Sequence, residues 1–298
     1  MSEKNSIGKD FQEVPLRVSG FKRFNRVFFS RGLVTFGLVI IVAFIIITIF
    51  APQLAPYDPN ELDMGSTLLQ PSWEHLLGTD ALGRDTMSRI IFGARTSLII
   101  VIMALCFGAT VGNVLGLIAG YFGGITYAII MRLIDALMAF PMILLALTVA
   151  ALLGGGMRNV IVALSIGMLP PYARLMCGQV LTIKENDYIT ATRSFGASNL
   201  RIMLRHIVPN AFPPLIVLIT MQVGHVILME AGLSFLGVGI APPAAAWGGM
   251  VSDGYQYLLK SPILSVAPGF AIMLVVFAFN MIGDGFRDAF DPRLRGKL

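Results

Sequence analysis

The sequence predicts an all-α integral membrane protein with six transmembrane helices. Hydrophobic residues make up 56% of its 298 residues and charged residues only 13%, a balance far from that of soluble domains. The mean hydropathy of +0.78 agrees with this class. A third observation is the division of the apolar residues into six long runs separated by short polar segments.

Each of these runs is long enough to cross a bilayer core of about 30 Å, which takes roughly 20 helical residues. The predicted spans are 33–51, 97–119, 129–153, 159–182, 211–233 and 263–283. The fourth is interrupted by Pro170, Pro171 and Arg174, but its length still predicts a span. We expect the first run to be an uncleaved anchor, because no small-residue cleavage site follows it.

The spans divide the chain into five parts. These are an N-terminal tail at 1–32, the first helix at 33–51, an extracytoplasmic loop at 52–96, a core at 97–283 with a middle loop at 183–210, and a C-terminal tail at 284–298. Within the extracytoplasmic loop, some apolar residues recur at helical spacing. They are Met87, Ile90, Ile91 and Ala94. This spacing predicts a helix that lies flat on the outer surface before the chain turns into the second span.

Lys and Arg indicate the orientation of the chain. They concentrate in the two tails and in the middle loop, which all lie on one side of the membrane if there are six spans. The other side carries fewer, namely Arg84, Arg89, Arg95, Arg158 and Lys260. The positive-inside rule therefore predicts that both termini are cytoplasmic. Because the basic residues flank apolar runs, the net charge of +5 does not indicate nucleic-acid binding.

The second span carries a glycine at every fourth position. These glycines are Gly108, Gly112, Gly116 and Gly120. They form a smooth strip along which another helix can approach closely, so we interpret them as helix-packing residues. The neighbouring helix can belong to this chain or to a partner subunit.

Two acidic residues in or near the spans are of functional interest. Glu230 lies at the outer part of the fifth span without a cation nearby in sequence, and an intramembrane carboxylate suggests a role in a substrate pathway or in gating. A place at the water boundary is the alternative. Asp135 is three residues from Arg132, so the pair is expected to neutralise itself on one helix face.

The middle loop has the pattern of a short amphipathic helix. Tyr188, Ala191 or Thr192, and Phe195 fall on one face, and Gly196 is placed to end the helix in a left-handed turn. A second short helical run is expected to reach His206 and to end before Pro209. The apolar face is only about two turns long, which favours a groove on another protein over a lipid surface.

At these residues the chain resembles the permease subunits of ATP-binding cassette (ABC) importers. Their cytoplasmic loop carries E-A-A, three residues, G, nine residues and I-x-L-P, and it docks on the ATPase. Ala191, Gly196 and Pro209 match this pattern, whereas the Glu, the second Ala, the Ile and the Leu do not. The resemblance implies that residues 183–210, which we call the coupling loop, contact an ATPase. The missing glutamate leaves open which polar contact the helix makes.

Further segments are similar to the C-type permease of dipeptide, oligopeptide and nickel importers. They include "HLLGTDALGRDTMSRIIFGARTSL", "MRLIDALMAFPMILLAL", "AGLSFLGVGIAPPAAAWGGM" and "FNMIGDGFRDAFDPRLRG". This resemblance implies the type I ABC importer permease fold and a heterodimer with a second permease. It also implies two ATPase subunits that bind ATP and Mg²⁺, and an extracytoplasmic binding protein. Dipeptides or oligopeptides are the expected substrates, with glutathione, nickel chelates and opines as alternatives.

The chain itself shows no pattern of a catalytic or metal site. No lysine stands in a G-x-x-x-x-G-K-[ST] motif, and His75, His206 and His225 lie on separate segments without metal-ligand spacing. We therefore expect a non-enzymatic subunit without a cofactor of its own. The alternative is an ion-coupled secondary transporter that uses Glu230 or Asp135 as its coupling carboxylate. Uptake that stops without ATP but survives a collapsed proton gradient separates the two.

Overall fold

The structure, a computed structural model, describes residues 27–29 and 31–290. Nearly all of the predicted tail at 1–32 lies outside the described residues, as does 291–298 of the C-terminal tail. Within the described ranges the only β-type pairing is one bridge between Thr79 and Asp85. The prediction of an all-α membrane fold is confirmed.

The described residues form mainly helices, and the longest connection between them is residues 55–85. The α-helices are α1 (Gly32–Ile49), α2 (Ala51–Leu54), α3 (Thr86–Phe122), α4 (Gly124–Met138), α5 (Met142–Leu153), α6 (Met157–Lys184), α7 (Asp187–Ser194), α8 (Asn199–Ile202), α9 (Val208–Phe235), α10 (Trp247–Tyr255) and α11 (Ile263–Phe290). A 3₁₀-helix covers Met64–Ser66, and a π-helix at Met203–Ile207 joins α8 to α9. Within the described ranges, five helices are long and apolar enough to cross a membrane. They are α1, α3, α6, α11 and the continuous run Asn199–Phe235. The bent pair of α4 and α5 makes a sixth span if it is counted as one.

The helix bundle has two distinct ends. Residues 185–207 lie at one, which we call the loop end, where the Lys184 ammonium donates to the carbonyl of Gly120 over 3.2 Å. Residues 51–85 and 236–262 lie at the other, which we call the cap end. Helix α1 begins and α11 ends at the loop end, where Arg31 and Asp288 form an ion pair of 2.9 Å.

Helix α3 corrects the prediction of a separate surface helix in the extracytoplasmic loop. It is one helix of 37 residues, about 55 Å long at 1.5 Å per residue, and therefore longer than a bilayer core is thick. Its N-cap is Asp85, whose Oδ2 accepts the Ser88 N–H at 2.7 Å. The chain does not turn between the amphipathic segment and the span, because nothing in 86–97 breaks the helix.

The third predicted span, 129–153, is two helices. Helices α4 and α5 are bent by 90° at the break around Pro141. Proline has no N–H and keeps the preceding residue out of the helical region, so a helix that reaches Phe140 cannot simply continue. By contrast, α6 runs through Pro170 and Pro171 as one helix, as the count of six spans required.

Candidate functional site

The coupling loop is anchored to the bundle by Ile189. This side chain is 1% exposed and packs in a cluster with residues of α3, α6 and α9 and of the π-helix. Val180, Ile183 and Ile207 belong to the same cluster. Ile189 was not predicted as an anchor, because the large aromatic residues Tyr188 and Phe195 give the helix a more conspicuous apolar face. The local signal was a lone isoleucine in an otherwise polar helix.

The predicted face of α7 points away from the bundle. Tyr188 and Ala191 are exposed, Thr192 is half-buried, and Phe195 is 91% exposed directly after the helix. Two further large apolar side chains of the loop, Leu200 and Leu204, are also exposed. Several exposed apolar side chains within one short segment are typical of surfaces that bind another protein.

Gly196 adopts the left-handed turn that its position predicts. Its φ is +79°, its N–H donates to the Arg193 carbonyl over 2.9 Å, and the Ala197 N–H donates to the Thr192 carbonyl over 3.3 Å. These two bonds form a Schellman motif, which satisfies the last carbonyls of the helix. The turn sets the direction in which the chain leaves Phe195.

The second helical run does not end before Pro209, so that prediction is wrong. The π-helix leads directly into α9, and Pro209 is the second residue of α9. The helical run accommodates the proline because the turn directly before it is a π-turn and not a regular α-turn. The Val208 N–H donates to the Met203 carbonyl, the wider spacing of a π-turn. The coupling loop is therefore a rigid continuation of the fifth span.

Polar contacts also join the coupling loop to the spans. The Tyr121 hydroxyl at the end of α3 donates to Asn199 Oδ1 over 2.8 Å, and the Arg193 guanidinium lies 5.9 Å from the centre of the Tyr121 ring. The Asn210 amide donates to the Tyr188 hydroxyl over 3.3 Å. These bonds tie α7 and α8 to the loop ends of α3 and α9.

The glycine strip of α3 lies against α6 of the same chain. A Cβ atom at Gly108 would lie 2.6 Å from Met168 Cβ, and one at Gly116 would lie 2.3 Å from the Ala173 carbonyl oxygen. Gly112 and Gly120 contact the same helix in the same way. The sequence alone allowed the glycine strip to pack either on a helix of this chain or on a partner subunit. In the structure it packs on a helix of this chain.

Asp135 does not pair with Arg132. Its Oδ1 lies 2.6 Å from Arg174 Nη2 on α6, and both side chains are about half exposed. Arg174, one of the residues that interrupts the fourth apolar run, therefore has a partner on α4. The helix spacing alone predicted a contact within α4, whereas packing of α4 on α6 supplies a closer cation.

Glu230 is buried inside the cap half of the bundle. It is 1% exposed, its Oε2 accepts the Ser97 hydroxyl over 3.2 Å, and its Oε1 accepts the Ser234 hydroxyl over 2.8 Å. Glu230 is therefore enclosed by protein and does not lie on the surface of this chain. The contact with Ser97 joins α9 to α3, and no Lys or Arg lies within 4 Å of the carboxylate in the part of the chain that the structure describes.

The cap end carries a network of charged side chains. Asp80 Oδ2 lies 2.7 Å from Arg84 Nε and 3.6 Å from Arg89 Nε, and His75 Nδ1 lies 2.9 Å from Asp85 Oδ1. Hydrogen bonds from the Ser66 side chain and the Gly65 N–H lower the pKa of the exposed Asp63. The network explains how a loop with little regular structure is held on top of α3.

The described ranges contain no group of three or more His, Cys, Asp and Glu residues that could hold a metal ion. Of the two cysteines, Cys106 is exposed and Cys177 is buried, and they are not bonded to each other.

Comparisons with known proteins agree with a multi-spanning permease. Residues 112–296 match the model of the family described as binding-protein-dependent transport system inner membrane component. Residues 19–71 match the model of the N-terminal transmembrane domain of oligopeptide transport permease C. A solved structure of the MetNI methionine ABC transporter, in an inward-facing conformation, has the same fold with a TM-score of 0.56. Its identity is 22%, over 69% of this chain and 98% of that chain.

Several curated relatives are similar along most of their length. The dipeptide transport system permease protein DppC of Alkalihalophilus pseudofirmus is 44% identical, over 87% of this chain and 85% of the relative. The glutathione transport system permease protein GsiD of Pectobacterium atrosepticum is 41% identical over 92% of each. The probable D,D-dipeptide permease DdpC of Escherichia coli is 40% identical over 87% of each.

This chain thus has the architecture of a membrane permease, with a helical fold, a broken third span and an anchored loop. The chain belongs to the family of binding-protein-dependent transport system inner membrane components, the permease subunits of ABC importers. It is therefore a non-catalytic, multi-pass protein of the inner membrane that works with ATPase subunits. Membership of this family leaves no support for the ion-coupled transporter, in which Glu230 or Asp135 was the coupling carboxylate.

Proposed function

We propose that this chain forms half of the translocation pathway of an ATP-driven importer of short peptides and docks on an ATPase through the exposed side of its coupling loop. The observation that carries the docking assignment is Phe195, which is 91% exposed at the tip of a loop otherwise anchored in the bundle. A large aromatic side chain held in water by a rigid turn is placed to fill a pocket on another protein.

The docking surface consists of neighbouring side chains on one side of the coupling loop. We assign to it the residues Tyr188, Ala191, Thr192, Phe195, Gly196 and Pro209. All but Thr192 are exposed, and Thr192 is half-buried. Because Ile189 is buried beside these residues, we propose that the same short helix contacts the bundle through Ile189 and the ATPase through its exposed residues.

Movement of the ATPase reaches the membrane through the rigid connections of the loop. The π-helix makes α8 continuous with α9, and the Tyr121–Asn199 bond ties the loop to α3. When ATP brings two ATPase subunits together, the coupling loops move with them, and the attached helices tilt towards an outward-facing arrangement. Hydrolysis then returns the inward-facing form.

Glu230 is a gating contact in this proposal. It joins α9 to α3 near the cap end through its bond with Ser97. The bond holds α9 against α3 in the present arrangement, and it would have to break for the two helices to separate. A buried carboxylate with only hydroxyl partners is a marginal contact, which suits a position that opens and closes.

The proposed orientation places the loop end and both termini in the cytoplasm. It rests on the excess of Lys and Arg at the loop end and on the common location of the α1 start and the α11 end there. The cap end then faces the binding protein. The complete importer comprises this chain, a second homologous permease, two ATPase subunits and the binding protein.

Short peptides are the proposed substrates because the curated relatives are named for dipeptide, D,D-dipeptide and glutathione transport. Glutathione is itself a tripeptide, so the three names share one chemistry. The common features are a small size, peptide bonds and charged ends.

Substitution of Phe195 by Asp tests the docking assignment. A carboxylate in an apolar pocket is costly to desolvate, so we expect the purified variant to lose most of its bound ATPase subunits. The matched control is Trp73→Asp, since Trp73 is 96% exposed at the cap end. ATPase subunits that co-purify equally with both variants would contradict the assignment.

A further inference from the structure

The ion pair between α4 and α6 lies exposed at membrane depth. The side chains of Arg174 and Asp135, whose Nη2 and Oδ1 atoms are 2.6 Å apart, are 50% and 47% exposed. Arg174 lies ten residues before Lys184, the loop end of α6, which is a distance of about 15 Å. With α6 centred in a bilayer core of about 30 Å, the pair lies about 9 Å inside the core boundary. Charged side chains at such a depth face protein or water and not lipid.

The break between α4 and α5 is a second polar feature at this depth. Its residues Ala139, Phe140 and Pro141 are all exposed, one turn after Asp135. The carbonyls of Ala139 and Phe140 accept no hydrogen bond within the ranges that the structure describes. Met142, the first residue of α5, packs on the middle of α6, where its Cγ lies 3.0 Å from the place of a Cβ on Gly167. Unpaired backbone carbonyls are not tolerated in lipid, so the break also requires water or protein.

The exposed side chains around the ion pair are small or polar. On both helices they recur three or four residues apart, which is the spacing of one helix face. We call this set the polar face, and it consists of Arg132, Asp135, Ala139, Arg174, Gly178 and Thr182. The exposed residues of α1 are large and apolar instead, as a lipid-facing surface requires, and they include Leu33, Phe36 and Val39.

Water covers the polar face better than a second protein does. The cores of protein interfaces are depleted of charged residues, whereas this face carries Arg132, Asp135 and Arg174. Among the described residues, Arg132 has no carboxylate oxygen within 4 Å, and no ion pair would compensate its charge in a dry interface. Desolvation of these groups by a packed helix is costly. Water satisfies the charges and the free carbonyls together.

We propose that the polar face is part of the wall of the water-filled translocation pathway, in the half of the bundle nearer the loop end. The proposal rests on the proposed function, because it assumes that a pathway runs beside this chain. Since α4 stops at the break and α5 leaves at 90°, no helix of the described chain covers Arg174 completely. A peptide that passes this wall meets charges of both signs, which replace water at its own charged ends.

Cysteine labelling of the complete transporter in lipid nanodiscs tests the wall. In a chain with Cys106 and Cys177 replaced by Ala, the probes are Ala139→Cys and Gly178→Cys. The control is Val39→Cys, because Val39 is 61% exposed in the middle of α1. A thiol reacts as thiolate, which forms in water and not in lipid. We therefore expect both probes to react with an anionic methanethiosulfonate about tenfold faster than the control.

Equal reaction rates at the three positions would overturn the proposal, because lipid or the second permease would then cover the polar face. A second measurement separates the pathway from a water-filled crevice outside it. A bulky thiol reagent on Gly178→Cys is expected to abolish most of the uptake of dialanine into proteoliposomes that contain the binding protein and ATP. Fast labelling with unchanged uptake would overturn the assignment to the pathway.

Uptake by the unlabelled transporter distinguishes failure of the wall from failure of the proposed function. Unlabelled Ala139→Cys and Gly178→Cys are expected to take up dialanine, which also shows that they fold. Slow labelling in transporters that take up dialanine overturns only the wall. Absence of uptake of any short peptide by wild type overturns the peptide importer itself.

Discussion

Among single residues, Gly196 and Ile189 define the geometry of the docking surface. Gly196 has a φ of +79°, and Ile189 is buried on the other side of the same helix. The glycine sets where Phe195 points, and the isoleucine sets how the helix sits on the bundle. Neither residue has an exposed apolar side chain, yet both are needed to position the side chains that do.

Replacement of Gly196 by Val is expected to distort the loop. A left-handed backbone costs an L-residue about 1–2 kcal/mol, and a β-branched residue tolerates it worst. We expect faster hydrogen exchange of the amides in 187–197 and a lower yield of bound ATPase subunits. Gly196→Asn is the matched variant, because asparagine adopts this conformation far more readily. Equal exchange rates in the two variants would show that the turn is not needed.

Glu230 illustrates how a residue can stand out in a sequence while its role depends on distant partners. A carboxylate in an apolar run suggests a function because burying a charge in a membrane costs free energy. Its two hydroxyl partners, Ser97 and Ser234, lie 133 and four residues away. The distant serine makes it a contact between two spans.

The close pair of α3 and α6 is the main packing element of the membrane core. Each glycine of the strip on α3 faces backbone or Cβ atoms of α6 at distances that leave no room for a methyl group. Close backbone approach replaces side-chain interlocking as the source of van der Waals contact, which is the usual solution inside a bilayer. Tyr172 and Met176, both buried, line the α6 side of this contact.

Substitution of Gly116 by Ala is expected to destabilise this pair. The new Cβ would lie 2.3 Å from the Ala173 carbonyl oxygen, and relief of such a clash costs about 1–3 kcal/mol. We expect a lower midpoint of thermal inactivation of the purified complex. Gly178→Ala on α6 serves as control, because among the described residues no atom outside the nearby turns of α6 lies within 4 Å of the place that its new methyl group would take. If Gly116→Ala had the same midpoint as wild type, the two helices could accommodate the extra methyl group without losing stability, and the prediction would be wrong.

At the scale of the whole molecule, the two ends of the bundle have different characters. The loop end presents exposed apolar side chains on a short, anchored segment, including Phe195 and Leu200. The cap end presents a charged network and cavities, with Arg84, Arg89 and Asp253 in their walls. In the proposed function, the loop end contacts the ATPase and the cap end faces the binding protein.

Cysteine labelling tests the proposed orientation. After Cys106 and Cys177 are replaced by Ala, we expect Trp73→Cys to react with a membrane-impermeant maleimide in intact spheroplasts. Ser194→Cys in the coupling loop is expected to react only after lysis, because the positive-inside rule places that loop in the cytoplasm. The reverse pattern would overturn both the orientation and the docking assignment.

The sequence by itself determined the membrane class, the spans and the position of the coupling loop. Insertion into a bilayer depends on the hydropathy of continuous segments, and short-range patterns such as the one around Gly196 describe a local turn. Both kinds of information are contained in neighbouring residues. The break at Pro141 was not predicted, because the hydropathy of a segment does not specify the direction in which its helix runs.

Only the tertiary structure decided which distant residues meet. It paired Asp135 with Arg174 instead of the nearby Arg132, and it placed the glycine strip against α6. It also brought Asp253 to the cavity that Arg84 and Arg89 line. These contacts join residues far apart in the chain, and they depend on how the helices rotate and tilt against one another, which one helix's own sequence does not specify.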